Sequence, residues 1–229
     1  MPLARIGTTM VYFSHIPKAG GSSVETYLRT KGTVALVSKG DRWGKSSPQH
    51  MPLAIADRWI PEGFCDARFA VVRDPVERLA STFRMRAVPD RMRPGNPLGW
   101  LTGLPGRLRG APLFRIRVLR VPVLIDFRSW VVLVLALRRL FPSMHDNHLR
   151  PQVEFVDEEM TLFRLEDGLE PVFDWIDRLA GSARSPGTFH QRKGKALPLE
   201  IGADLRDRIR RHYARDCEMI ARRFPEAAA

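Results

Sequence analysis

Twice in the N-terminal part of the chain a short apolar run passes directly into a segment of helical spacing, and this repeated junction constrains the fold more than any other feature. MVYFSHI, Met10 to Ile16, suits a buried strand, and SSVETYLRTKG then places Val24, Tyr27 and Leu28 at helical spacing with Gly32 as a stop. RFAVVR, Arg68 to Arg73, suits another strand. DPVERLASTFRMR follows it at once, with Asp74 at a cap position and Pro75 in the first helical turn. Between them TVALV (Thr33 to Val37) reads as a strand and MPLAIADRW (Met51 to Trp59) as a short helix. Beyond them the pattern predicts a helix around Phe127 to Leu140, a strand over Thr161 to Glu166, and helices over Leu169 to Ala180 and Leu199 to Phe224. Such alternation predicts an α/β fold with a central, mainly parallel sheet whose ligands sit at the carboxyl ends of the strands.

A chain of 229 residues with 44% hydrophobic content can bury one sizeable core, so a single domain over 1–229 is expected. The longest purely apolar run, Trp130 to Leu137, falls well short of the roughly 20 residues a membrane-spanning helix needs, which leaves peripheral membrane contact open. The N-terminus has no apolar core followed by a small-residue cleavage site, so a cytoplasmic protein is expected. Cys65 and Cys217 stand far apart without metal-ligand spacing and read as buried thiols. A net charge of +12 favours anionic partners. Much of it lies in an Arg/Pro/Gly-rich insertion at about 84–120, where nine arginines face one acid, Asp90. No aromatic interleaving accompanies those arginines, and no nucleic-acid partner is expected. Trp100 and its neighbouring arginines suit a lid or a groove for an anionic sugar, or simply a solvated basic loop.

The two strand-to-helix loops carry the chemistry. In SHIPKAGGSS, Ser14 to Ser23, glycine-rich backbone at a helix N-terminus suits an anion, with Gly20 and Gly21 allowing close approach. Ser22 and Ser23 add hydroxyl donors, and Lys18 adds an ammonium. The spacing is not that of a Walker A loop, because the lysine precedes the glycines and no Ser or Thr follows it to hold magnesium. The alternative is a tight turn with a surface lysine. In the second loop Arg73 ends a strand and can fork onto a phosphate, and Ser81 stands two turns into the next helix. Here the alternative is an Arg73 paired with Asp74 or Glu77 and a Ser81 that only packs.

With these residues in view, the sequence resembles the sulfotransferases that use 3′-phosphoadenosine-5′-phosphosulfate (PAPS), in particular the family 2 branch that includes carbohydrate 2-O-sulfotransferases. HIPKAGGSS (His15 to Ser23) resembles that family's 5′-phosphosulfate loop, and VVRDPVERLAS (Val71 to Ser81) its 3′-phosphate motif. DNHLRPQVEF (Asp146 to Phe155), FRLEDGLEPVFDWI (Phe163 to Ile176) and HYARDCEMI (His212 to Ile220) are similar to weaker signatures, and the 84–120 segment matches none. The resemblance implies a P-loop-like three-layer domain and PAPS as co-substrate, without a metal. It implies that Lys18, Ala19, Gly20, Gly21, Ser22 and Ser23 hold the 5′-phosphosulfate and that Arg73 and Ser81 hold the 3′-phosphate.

Sulfuryl transfer needs in-line placement, stabilisation of charge on the leaving phosphate and a base for the acceptor hydroxyl. Lys18 is the expected charge stabiliser. His50, in SSPQHMPLA, is the expected base, since related 2-O-sulfotransferases carry a catalytic histidine at a similar interval before the 3′-phosphate strand; a surface or helix-capping histidine is the alternative. His15 reads as structural, Glu166 as scaffold through a buried bond to a neighbouring loop, and His148 and Arg150 as secondary acceptor-side candidates. The leading function is sulfuryl transfer to a hydroxyl of a carbohydrate or glycolipid. A P-loop-type nucleotide kinase and a non-enzymatic polyanion-binding protein are the alternatives.

Overall fold

The computed structural model describes residues 2–37, 46–87, 112–118, 121–189 and 199–225. They form two compact units, one of Met1–Asp74, Pro142–Arg192 and Tyr213–Ala229, the other of Pro75–Phe141 and Lys193–His212.

The first unit is built on a five-stranded sheet of β1 (Leu3–Ile6), β2 (Thr9–Ser14), β3 (Thr33–Ala35), β4 (Ala67–Val72) and β7 (Thr161–Arg164), in the order β3-β1-β2-β4-β7. The strands alternate sides. Val11, Phe13, Phe69 and Val71 face a core completed by Val24, Tyr27 and Leu28 of α1 (Gly21–Lys31) and by Val172, Phe173 and Ile176 of α5 (Glu170–Ala180). On the opposite face Tyr12 packs with Met51 and with Ala56 of α2 (Leu53–Ala56), while Ala70 and Val72 pack with Phe155 and with Met219 of α7 (Ala214–Arg223). A strand buried on both faces reads as a continuous apolar run, which is why β2 and β4 stand out in the sequence.

The sheet is mixed, not mainly parallel. β2 pairs with β4 and β4 with β7 in parallel, but β1 runs antiparallel to both β2 and β3. β1 reaches β2 through a two-residue turn with Gly7 at φ 58°, a left-handed conformation suited to tight hairpins. Gly32 ends α1 against β1, where a Cβ would stand 2.0 Å from the Arg5 carbonyl oxygen. The three parallel strands bring their carboxyl ends together, and the loops after β2, β4 and β7 emerge side by side.

The second unit contains α3 (Pro75–Arg86), the hairpin of β5 (Phe114–Val118) and β6 (Val121–Ile125), α4 (Phe127–Leu137) and α6 (Ala203–His212). Phe83, Phe114, Phe127 and Trp130 form its aromatic centre, with Phe83 5.1 Å from Phe127 and 5.4 Å from Trp130 between ring centroids. Asp126 caps α4 by accepting from the Ser129 amide at 2.8 Å. The insertion expected at about 84–120 begins as the end of α3 and closes as β5, and its middle, including Trp100 and Asp90, lies outside the described residues. The single helix expected from Leu199 to Phe224 is instead two, α6 and α7, interrupted at Tyr213. No helix among the described residues is long and apolar enough to cross a membrane.

Candidate functional site

β2 ends at Ser14, whose hydroxyl donates to the Phe155 carbonyl at 2.6 Å, and the chain then turns through 15–20 into α1. Lys18 and Gly20 in this turn hold φ of 70° and 83°. A lysine is seldom found there, and such backbone clusters at functional sites. The α1 N-terminus carries no side-chain cap, and among the described residues the amides of Gly20, Gly21 and Ser22 donate to no protein acceptor. These are the orphan donors of a helix start, aligned with the positive end of its dipole.

The two glycines also have a packing role. A Cβ on Gly21 would stand 2.2 Å from His15 Nε2, and one on Gly20 would stand 2.9 Å from Leu165 Cδ1. The His15 ring thus leaves no room for a side chain at 21, and the left-handed φ of 83° favours glycine at 20.

β4 delivers Arg73 to the same place. Its Nη1 donates to the Lys18 carbonyl at 3.2 Å, so the second loop is tied to the backbone of the first. The buried Gln152 fixes the Arg73 main chain from both sides, accepting from its amide at 2.9 Å and donating to its carbonyl at 2.7 Å. Gln152 is held in turn by the buried Asp216, which accepts from the amides of Gln152 and Val153 at 2.8 and 3.1 Å. Glu166 accepts from the Asp74 amide at 2.9 Å, the scaffold contact expected of it, although its side chain is exposed and not buried. Ser81 lies half-buried on α3, in the second unit.

Three histidines form a row beside the first loop. The His50 ring meets His15 edge-on at 4.9 Å and His148 edge-on at 5.0 Å between centroids. His15 is buried, and its Nδ1 lies 2.5 Å from Glu25 of α1, which also accepts from Gln49 at 2.5 Å. His50 closes a 3₁₀ turn over Pro48–His50, and its Nδ1 lies 2.7 Å from Asp146 Oδ2. Burial works against the Asp146 charge, but hydrogen bonds from His50 and Ser47 outweigh it and hold the carboxyl well below the usual range. Arg150 bonds Asn147 at 3.0 Å and pairs with Glu154, so it supports the loop of His148. Sequence reasoning missed Asp146 as a partner of His50. Its signal was the run His145-Asp146-Asn147, the three residue types that best tolerate the left-handed region, and all three adopt it, at φ 56°, 58° and 62°.

Burial lowers the His15 pKa to about 4, against the opposing pull of its Glu25 hydrogen bond. Between about pH 6.5 and 4 the unfolded chain therefore binds a proton at this position that the folded chain does not, and stability falls as pH falls through that window. The expected loss attributable to His15 is about 3 kcal/mol in all. Urea denaturation at pH 7.5, 6, 5 and 4.5 checks it: His15→Asn, which keeps a donor for Glu25, should show a shallower pH dependence. Identical slopes in the two proteins would contradict the assignment.

Among the described residues no group of three or more His, Cys, Asp or Glu side chains converges on a metal site, and both cysteines are half-buried free thiols. A cleft of about 580 Å³ lined by residues including Val153, Asp157, Leu162, Arg215, Met219 and Arg222 contains none of the sequence-predicted site residues. Comparison with protein-family models, curated proteins and solved structures returns no match for this chain.

Proposed function

We propose that this protein is a PAPS-dependent sulfotransferase of P-loop-like fold that acts on a hydroxyl, of a carbohydrate or a glycolipid. The observation that carries the reading is the junction of the two loops: Arg73 is bonded to the Lys18 backbone, beside a helix start whose Gly20, Gly21 and Ser22 amides donate to no protein acceptor among the described residues. That arrangement suits a ligand with two anionic groups.

In this reading the 5′-phosphosulfate lies on the amides of Gly20, Gly21 and Ser22 and the Lys18 ammonium, and Arg73 takes the 3′-phosphate, while the Ser23 amide donates to the Gly20 carbonyl at 3.0 Å. The acceptor oxygen attacks sulfur, and the bond from sulfur to the phosphate oxygen breaks. The acceptor's proton passes to His50, and the charge left on adenosine 3′,5′-bisphosphate is held by Lys18 and the helix start. His148, which flanks His50, and Arg150, which bonds the adjacent Asn147, are assigned in this reading to the acceptor.

Transfer of labelled sulfate from PAPS across a panel of sugars, glycolipids and small alcohols tests the activity; no product with any acceptor would count against it. Arg73 gives a second, independent handle. A charge-assisted phosphate contact contributes about 1.5–3 kcal/mol, so Arg73→Ala should lose about 10–100-fold in affinity for adenosine 3′,5′-bisphosphate and little for AMP. Calorimetric titration of both nucleotides reads this directly, and equal losses for the two would remove Arg73 from the 3′-phosphate site.

A further inference from the structure

We propose that Asp146 is a positioning residue that fixes the tautomer of His50, keeping the ring proton on Nδ1 and leaving Nε2 as the bare proton acceptor. The kinetic consequence rests on the sulfotransferase reading; the tautomer does not.

Asp146 Oδ1 accepts from the Ser47 amide at 2.7 Å, and Oδ2 accepts from the Ser47 hydroxyl at 2.8 Å and faces His50 Nδ1 at 2.7 Å. An ionised carboxylate has no hydrogen to offer, so Nδ1 must be the donor in that last contact. A neutral imidazole protonated on Nδ1 has its lone pair on Nε2, as a general base requires. The same loop also pins the His50 main chain, because Asn147 Nδ2 donates to the His50 carbonyl at 2.8 Å. Two adjacent left-handed residues thus grip one histidine from a segment distant in sequence.

The other titratable groups around the ring do not compete for this role. His15 and His148 meet it edge-on, and Glu25 is bonded to His15 and Gln49. Among the described residues, Asp146 is the carboxylate bonded to the His50 ring.

Asp146→Asn separates positioning from folding. Asparagine tolerates the left-handed backbone at this position, where φ is 58°. The Ser47 amide must still find an acceptor, so the new carbonyl oxygen takes the place of Oδ1 and the new NH₂ faces His50 Nδ1. Nδ1 then becomes an acceptor and the ring proton moves to Nε2, which can no longer take a proton from the acceptor hydroxyl.

The test is a long-range ¹H–¹⁵N correlation spectrum of the ¹⁵N-labelled full chain, with the His50 signals identified by their loss in His50→Gln. The wild type should show the Nδ1–H tautomer and Asp146→Asn the Nε2–H tautomer. A wild-type His50 protonated on Nε2, or a variant still protonated on Nδ1, would overturn the proposal. The wild-type spectrum decides by itself if the variant does not fold. In transfer assays Asp146→Asn should lose about 10²–10⁴-fold in kcat with adenosine 3′,5′-bisphosphate affinity unchanged. A variant with the shifted tautomer and undiminished kcat would also overturn the proposal. A wild type that transfers sulfate to no acceptor would instead overturn the sulfotransferase reading, with Asp146 still decided by the spectra.

Discussion

Replacing His50 by alanine should cut kcat for sulfuryl transfer by about 10²–10⁴-fold, the usual contribution of a positioned base, while adenosine 3′,5′-bisphosphate binds as it does to the wild type. The fold should tolerate the change. Asp146 keeps its two Ser47 donors when the ring is gone, and its side chain retains 24% exposure to water. Only a neutral imidazole can accept the hydroxyl proton, so the wild-type rate should fall on acidification and the variant should lack that acid limb. Pre-steady-state rates across pH, with circular dichroism on each sample to exclude unfolding through His15, check both parts. A variant that keeps wild-type turnover and the same acid limb would move the base elsewhere, with His148, edge-on to His50, the next to mutate.

Lys18→Ala should lose about 10²–10³-fold in kcat, as expected for removing one group that stabilises developing charge, with a smaller rise in donor Kd. The tie between the two loops should survive the change. Arg73 bonds the Lys18 carbonyl, not its side chain, and alanine meets the same left-handed strain at φ 70° as lysine does. Lys18→Arg should rescue only in part, because a planar guanidinium cannot occupy the place of a compact ammonium. Single-turnover rates and donor titrations separate the two effects. A normal kcat with weakened donor binding would make Lys18 a ground-state clamp and not a stabiliser of the departing phosphate.

The parts of this fold that could be read in sequence are those set by local pattern. β2 with α1, and β4 with α3, were legible because an apolar run buried on both faces gives way abruptly to helical spacing. β1 and the β5–β6 hairpin were not. LARI is too short to show a period, and FRIRV, although it alternates apolar and charged residues, reads as part of one arginine-rich insertion. The break at Tyr213 escaped because helical spacing continues across it, whereas the hydroxyl that bonds the Leu149 carbonyl at 2.8 Å is a long-range contact.

The site divides in the same way. Lys18, Arg73 and His50 could be proposed from loop position and resemblance, but Gln152, Asp216 and Asp146 act through residues far away in the chain. At Gly20 and Gly21 the fold adds a packing reason that the sequence does not show. The sequence suggests room for a ligand, whereas His15 and Leu165 fill the space where their side chains would be.

The central claim, that the joined loops after β2 and β4 hold a nucleotide with phosphates at both the 3′ and 5′ positions, is tested most directly by calorimetric titration of the wild-type chain with three ligands. These are adenosine 3′,5′-bisphosphate, AMP, and ATP with magnesium. The bisphosphate should bind about 10–100-fold more tightly than AMP, since a single charge-assisted phosphate contact separates them, and more tightly than ATP with magnesium. Equal affinities for the bisphosphate and AMP, or tighter binding of ATP with magnesium, would contradict the account.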